Sequence, residues 1–155
     1  DFIVSVDLPN VLASRYASDA MVEIWQADAA GLFASPHETR GQSDPHFSGW
    51  GRASADLDTG EFTFDTVKPG QVPWIDGRPQ APHITMWIVA RGINLGLQTR
   101  LYFADETVAN KVDPILSESV DEERVGTLLA QPNGAAAYRF DIRLQGPRET
   151  VFFDL

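Results

Sequence analysis

At 155 residues the chain suits a single domain with a sizeable core, and 43% of its residues are apolar, an ordinary share for a globular protein. The net charge of −10, from 22 acidic and 12 basic residues, argues against a phosphate-backbone partner, which needs a basic face, so no nucleic acid is expected. Cysteine is absent, which excludes disulfides and thiolate metal sites and fits a reducing cytoplasm, and no apolar run approaches the ~20 residues of a spanning helix, so no membrane is expected.

The dominant pattern is alternation with period two. Phe2–Val6 is apolar but too short for a signal peptide and lacks a basic lead. Met21–Gln26 sets Val22 and Ile24 on one face, with Glu23 and Gln26 nearer the other. Asp58-Thr59-Gly60 reads as a tight turn into Glu61–Asp65, which alternates cleanly, and Lys68-Pro69-Gly70 closes that strand. Ile84–Ala90 is a nearly continuous apolar run, as expected of a strand covered on both faces. Thr99–Phe103 is a shorter β candidate. Asp105 is expected to cap a short helix over Glu106–Asn110. Val120–Leu129 reads as a helix, with Val125, Leu128 and Leu129 on one face and acidic residues in its first turn. Asn133-Gly134 marks a turn before Tyr138–Leu144, whose even positions are apolar, and Thr150–Phe153 is a last β candidate. Many short strands with Gly and Pro between them predict an all-β, mixed-strand β-sandwich with one or two short helices, a single domain over residues 1–155. Residues 34–50 and 70–82 are long loops, and such loops often carry function on sandwiches.

Residue types alone give metal binding little support. The histidines are His37, His46 and His83, and the tyrosines Tyr16, Tyr102 and Tyr138. No H-x-H, H-E-x-x-H or His-carboxylate facial arrangement occurs. His37 and His46 lie in a polar loop beside Pro36 and Pro45 and read as surface residues. Tyr102 and Tyr138 sit inside strands and read as packed rings with hydrogen-bonded hydroxyls. His83 enters the apolar strand after Pro82 and, taken by itself, reads as a hydrogen-bonded structural residue.

Three stretches taken together resemble the intradiol aromatic-ring dioxygenases. They are VEIWQADAAGLF (Val22–Phe33), TVKPGQVPW (Thr66–Trp74) and QAPHITMWIVARGINLGLQTRLYF (Gln80–Phe103). The similarity runs from Asp19 to Leu155, includes YRFDIRLQGPRETVFFD near the C-terminus, and is to the iron-free α type of the family's two-subunit members. Catalytic members of the family hold a non-haem iron(III) with two tyrosines and two histidines. The matching positions here are Phe33, Val72, His83 and Thr85, so the resemblance implies vestigial ligand positions. Alternate strand residues point the same way, so two histidines there share one metal, and Thr85 breaks that pair. Iron(III) needs anionic oxygen donors, which neither Phe33 nor Val72 supplies. Catalytic relatives also place an arginine three residues before the first ligand histidine. This chain has Gln80 there, with Arg78 nearby but out of register.

The resemblance therefore implies no metal and no catalytic residue in this chain. It implies a catalytic β-type partner holding non-haem Fe(III), in a higher αβ oligomer, with a dihydroxybenzoate bound at the interface. The family's A-R-G-I-N segment faces that pocket, which makes Arg91 the candidate for the substrate carboxylate. Taken by itself, Arg91 is an exposed loop arginine after a strand. Trp50, Trp74 and Trp87 are large enough to anchor an interface, with core packing the first reading of Trp87. Residues 1–20 depart from the family pattern, for Asp7–Asp19 reads DLPNVLASRYASD without the family's N-terminal arm motif or its G-x-P turn. Two rival readings are a self-sufficient intradiol catechol dioxygenase with an unusual iron site and a transthyretin-like binding module without enzymatic partner. The retained VKPG…PW and ARGIN frames argue against the second.

Overall fold

The computed structural model describes residues 20–90 and 93–154, together with the backbone of Phe2–Asp7. Its strands are β1 (Phe2–Asp7), β2 (Met21–Trp25), β3 (Trp50–Ser54), β4 (Glu61–Thr66), β5 (Val72–Pro73), β6 (Pro79–Gln80), β7 (His83–Val89), β8 (Leu97–Phe103), β9 (Leu129–Pro132) and β10 (Ala137–Asp141). Eight of them form one curled sheet in the order β3-β2-β7-β8-β9-β10-β1-β4, and β5 and β6 pair separately. The sheet is mixed: β1 runs parallel to β10 and β8 parallel to β9, while the other pairs are antiparallel. Its two halves meet at β9, whose first residues pair with β8 and whose last pair with β10.

The halves close around a core because alternation sends one side of every strand inward. Val22 and Ile24 of β2, Ile84, Met86 and Ile88 of β7, and Leu101 and Phe103 of β8 meet Phe62 and Phe64 of β4 and Phe140 of β10. Each such fully buried large side chain is worth about 1.5–3 kcal/mol. The Asp58-Thr59-Gly60 turn joins β3 to β4, the two ends of the sheet order. Asp56 organises it, its Oδ1 accepting the N–H of Asp58 and Thr59, while Gly60 at φ +73° closes it onto the Asp56 carbonyl. The Asn133-Gly134 turn likewise joins the antiparallel β9 and β10.

Three short helices and a 3₁₀ turn cover one end of the outer face: α1 (Thr107–Val112), α2 (Pro114–Glu118), α3 (Glu122–Val125) and Gly126–Leu128. They build a second apolar cluster in which Ile115, Leu116, Leu128 and Val151 surround Tyr102. Asp113 holds α2 in place. Its Oδ1 accepts the N–H of Ile115 and Leu116, and its Oδ2 that of Ala81. Pro114 at the first helical position completes a standard start.

Several sequence expectations are corrected. β7 is not covered on both faces of this chain: Ile84, Met86 and Ile88 are buried, but Trp87 is 43% exposed. The helix expected over Val120–Leu129 is only α3 plus the 3₁₀ turn, because Leu129 is drawn into β9 opposite Tyr102. Asp105 caps nothing, for Glu106 stands at the N-cap of α1 without a side-chain bond, and the Asp105 carboxylate instead meets Lys68 and Tyr138. Among the described residues, Thr150–Phe153 contributes a single bridge, Gln98 to Phe153. β10 ends at Asp141, short of Leu144. Gln26 turns inward beyond β2, where its Oε1 accepts from Thr66 Oγ1 and its Nε2 donates to the Val67 carbonyl.

Candidate functional site

The outer face of β2, β7 and β8 carries Trp25, His83, Thr85, Trp87, Gln98 and Arg100, since cross-strand partners in register share a face. Two loops lean over one end of it. The first follows β2 and is built around Asp28. The Asp28 carboxylate accepts N–H bonds from Ala30, Leu32 and Asp44, each at 2.9 Å, and its carbonyl accepts from Gly31 and Gly70. Burial pushes this carboxyl up, but the amides of Leu32, Asp44 and Ala30 outweigh it and hold the group below its ordinary value.

The second loop carries Lys68-Pro69-Gly70. Here glycine is required at two positions. Gly31 sits at φ +80°, where a Cβ would lie 2.1 Å from the Gln71 carbonyl oxygen, and a Cβ on Gly70 would lie 2.5 Å from the Gly31 nitrogen. The loops touch backbone to backbone, which brings Phe33 beside Val72. Lys68 ties the second loop to the sheet: its Nζ meets Glu106 at 2.6 Å, Asp105 at 3.0 Å and the Tyr138 hydroxyl at 3.3 Å. Partial burial works against the ammonium, yet these partners raise its pKa above the usual lysine value.

Phe33, Val72 and the β7 pair His83 and Thr85, from three separate segments, line one void of about 10 Å³ with Trp25 and Gly70, roughly the space of a single water. His83 Nδ1 donates to the Ala81 carbonyl at 2.8 Å, and its ring lies against Tyr102. Burial, and then the charge of Arg100, press its pKa down to about 4, so the imidazole is neutral at pH 7. The side-chain donors around the void are one imidazole, one threonine hydroxyl and the Gln26 carboxamide, which is already bound to Thr66 and Val67, with no phenolate or carboxylate. Among the described residues no group of three or more His, Cys, Asp or Glu could hold a metal ion. These residues do not fit an iron(III) centre.

The same four residues border a cavity of about 520 Å³ that also reaches Pro73, Gln80, Gln98 and Arg100. Sequence reasoning passed over Arg100. It sits on β8 between Thr99 and Leu101, and a cation inside an otherwise buried strand was the available signal. Its Nη1 donates to Gln80 Oε1 at 2.8 Å and to the Tyr102 hydroxyl at 3.4 Å, and the guanidinium lies over the Trp74 ring. Position 80, where the resemblance led to an expected arginine, holds a glutamine, and β8 places the Arg100 guanidinium against it. Burial keeps the Tyr102 hydroxyl well above its ordinary pKa.

On the rim, Glu38 accepts from Arg40 and from the Phe33 N–H, and Arg40 holds its carboxyl down to about 2. His37 also stands on this rim, whereas His46 is exposed elsewhere. Arg78 is exposed and paired with Asp76 and Glu118. Arg91 lies outside the described residues.

Among the expected interface anchors, Trp50 is exposed and stands beside Trp25 in register, and Trp87 shares their face rather than the core. Trp74 is partly buried against the second apolar cluster.

A family model described as dioxygenase matches residues 11–146. The chain is similar to the alpha chain of protocatechuate 3,4-dioxygenase from Pseudomonas putida, at 46% identity over 139 residues, 88% of this chain and 67% of that protein. It is also similar to the beta chain of protocatechuate 3,4-dioxygenase from Burkholderia cepacia, at 30% identity over 138 residues, 83% of this chain and 57% of that one. Among solved structures, an intradiol ring-cleavage dioxygenase from Tetranychus urticae shares the fold, with a TM-score of 0.66 at 19% identity over 92% of this chain and 79% of that one.

Proposed function

The chain belongs to the intradiol ring-cleavage dioxygenase family, and from that premise we propose that it serves as the iron-free α subunit of a protocatechuate 3,4-dioxygenase. A β-type partner supplies the non-haem iron(III) and the catalytic residues, and this chain completes the pocket at the interface within a higher αβ oligomer. The reaction breaks the bond between the two hydroxyl-bearing carbons of protocatechuate. Both atoms of O₂ enter the product, 3-carboxy-cis,cis-muconate.

One observation carries this reading. The four positions that match iron ligands converge on one void, yet offer a single nitrogen donor and no anionic oxygen. The frame is kept and the metal chemistry is gone, which fits a subunit whose catalysis lies in a partner. The face bearing Trp25, Trp50 and Trp87 is open, with each ring 43–54% exposed, and aromatic residues of this kind anchor interfaces. A permanent complex buries more than about 2,000 Å². Arg91 follows β7 and, in this reading, offers its guanidinium to the substrate carboxylate. We place the complex in the cytoplasm on the cysteine-free composition. Among the described residues no helix is long and apolar enough to cross a membrane.

The test is metal analysis and protocatechuate-dependent oxygen uptake, on the chain alone and co-purified with its β partner. One iron per αβ pair, with activity and a visible tyrosinate-to-iron band only when the partner is present, is the expected result. Stoichiometric iron in the lone chain, or two irons per pair, would overturn the assignment.

A further inference from the structure

Arg100 is a buried cation with no carboxylate directly against it among the described residues. It is about nine-tenths buried, and both acceptors of its Nη1, Gln80 Oε1 and the Tyr102 hydroxyl, are neutral. Its Nε is buried with no hydrogen-bond partner, and among the described residues it makes no ion pair. The nearby acids are committed elsewhere. Glu38 is held by Arg40 and the Phe33 amide, and Asp113 accepts three backbone N–H bonds. The Asp113 charge reaches Arg100 only through the Tyr102 hydroxyl, and the guanidinium Nε is left without an acceptor. A desolvated cation with an unmet donor and no direct ion pair is costly, and a natural way to relieve that cost is an anion bound against it.

We propose that the cavity beside Arg100 binds a small aromatic monocarboxylate of the benzoate class. The guanidinium fork matches a carboxylate and binds it with charge-assisted hydrogen bonds. The walls suit a ring: Trp25, Phe33, Val72 and Pro73 are apolar, and Trp25 and Phe33 meet edge to face at 5.8 Å. Ser35, Thr85 and Gln98 offer polar contacts for ring substituents. The volume of about 520 Å³ lies within the range of small-molecule sites. The loss of phenolate positions to Phe33 and Val72 turns what would be a metal-facing wall into an apolar one.

The test is fluorine NMR of 4-fluorobenzoate titrated into the full chain co-purified with its β partner. A saturable bound population should be displaced by benzoate and not by benzamide, which has the ring without the charge. Arg100→Gln should weaken that population at least tenfold, and Arg100→Lys should weaken it less. Any population held by the partner is unchanged by these substitutions. An unchanged total of bound probe in Arg100→Gln, with no population lost, or displacement of the Arg100-dependent population by benzamide, overturns the proposal. Displacement by inorganic sulfate at the same concentration as benzoate overturns the aromatic class. If Arg100→Gln does not fold, Thr85→Phe, which fills the cavity from β7, must abolish the same population. Turnover of protocatechuate measured on the same samples separates this site from the assigned subunit role.

Discussion

The bonds around Asp28 allow a worked test of what frames the site. In Asp28→Ala, three backbone donors, Ala30, Leu32 and Asp44, lose a buried carboxylate acceptor at once. Hydrogen bonds to charged groups contribute about 1.5–3 kcal/mol each. Simple addition overshoots, because water reaches part of the loop once it relaxes, and single substitutions rarely exceed about 4–5 kcal/mol. The expected loss is therefore about 3–4 kcal/mol. For a chain of this size that lowers Tm by about 10 °C. Asp28→Asn keeps the Oδ1 acceptor but turns an amide donor toward the Asp44 N–H, which costs about 1–3 kcal/mol. The pH dependence has a definite sign. The folded carboxyl lies below its ordinary value, so its contribution is fully present above about pH 4 and is lost as pH falls through the folded pKa. Wild type and Asp28→Asn should thus differ at pH 7 and converge in acid. The assay is thermal unfolding of the co-purified complex at fixed concentration from pH 3 to 7, with amide exchange at Leu32 and Asp44 as the local readout. An asparagine variant within about 0.5 kcal/mol of wild type, with unchanged exchange, would refute the reasoning.

Three further outcomes are expected. Gly70→Ala places a methyl 2.5 Å from the Gly31 nitrogen, so it should cost about 3 kcal/mol or more and change the near-ultraviolet circular dichroism of Trp25; a stable variant with native spectra would contradict the loop contact. Lys68→Met should cost about 1–2 kcal/mol at pH 7 by removing two partly exposed ion pairs, and because the lysine pKa is raised, this difference should hold below about pH 10 and fade as pH rises through the folded value, checked by urea unfolding. Arg91→Ala should weaken protocatechuate binding in the assembled enzyme, by about 0–1 kcal/mol for an exposed pair or about 2–5 kcal/mol for a desolvated one, while sparing catechol and iron content; an equal loss for both substrates would point to assembly instead.

The strands that bury one face could be read from the chain because their alternation is local: Val22 and Ile24, Phe62 and Phe64, Tyr138 and Phe140 all pack inward as spaced. The turns at Gly60 and Gly134 were legible for the same reason, since a left-handed glycine is a one-residue signal. What failed depended on distant chain. Leu129 is a good helix residue that pairs with β8, and Asp105 is a good cap that answers Lys68 across the fold. The Asp113-Pro114 start of α2 carried a sequence signal that was missed. At the site, resemblance located Phe33, Val72, His83 and Thr85, but no spacing rule predicts that four such positions meet in one void. Arg100 escaped because its partner Gln80 is 20 residues away on β6 and meets β8 only in the folded chain.

The contact between Gly31 and Gly70 separates shape from chemistry. The hollow is held open by amides, carbonyls, one aspartate and two absent side chains, and none of these is among Phe33, Val72, His83 and Thr85, which line the void. The four residues take no part in the contact that holds the loops together, so frame and lining are set separately. Such a scaffold is a mould whose frame rests on the two glycines and Asp28, while the lining alone decides what the receptacle can hold.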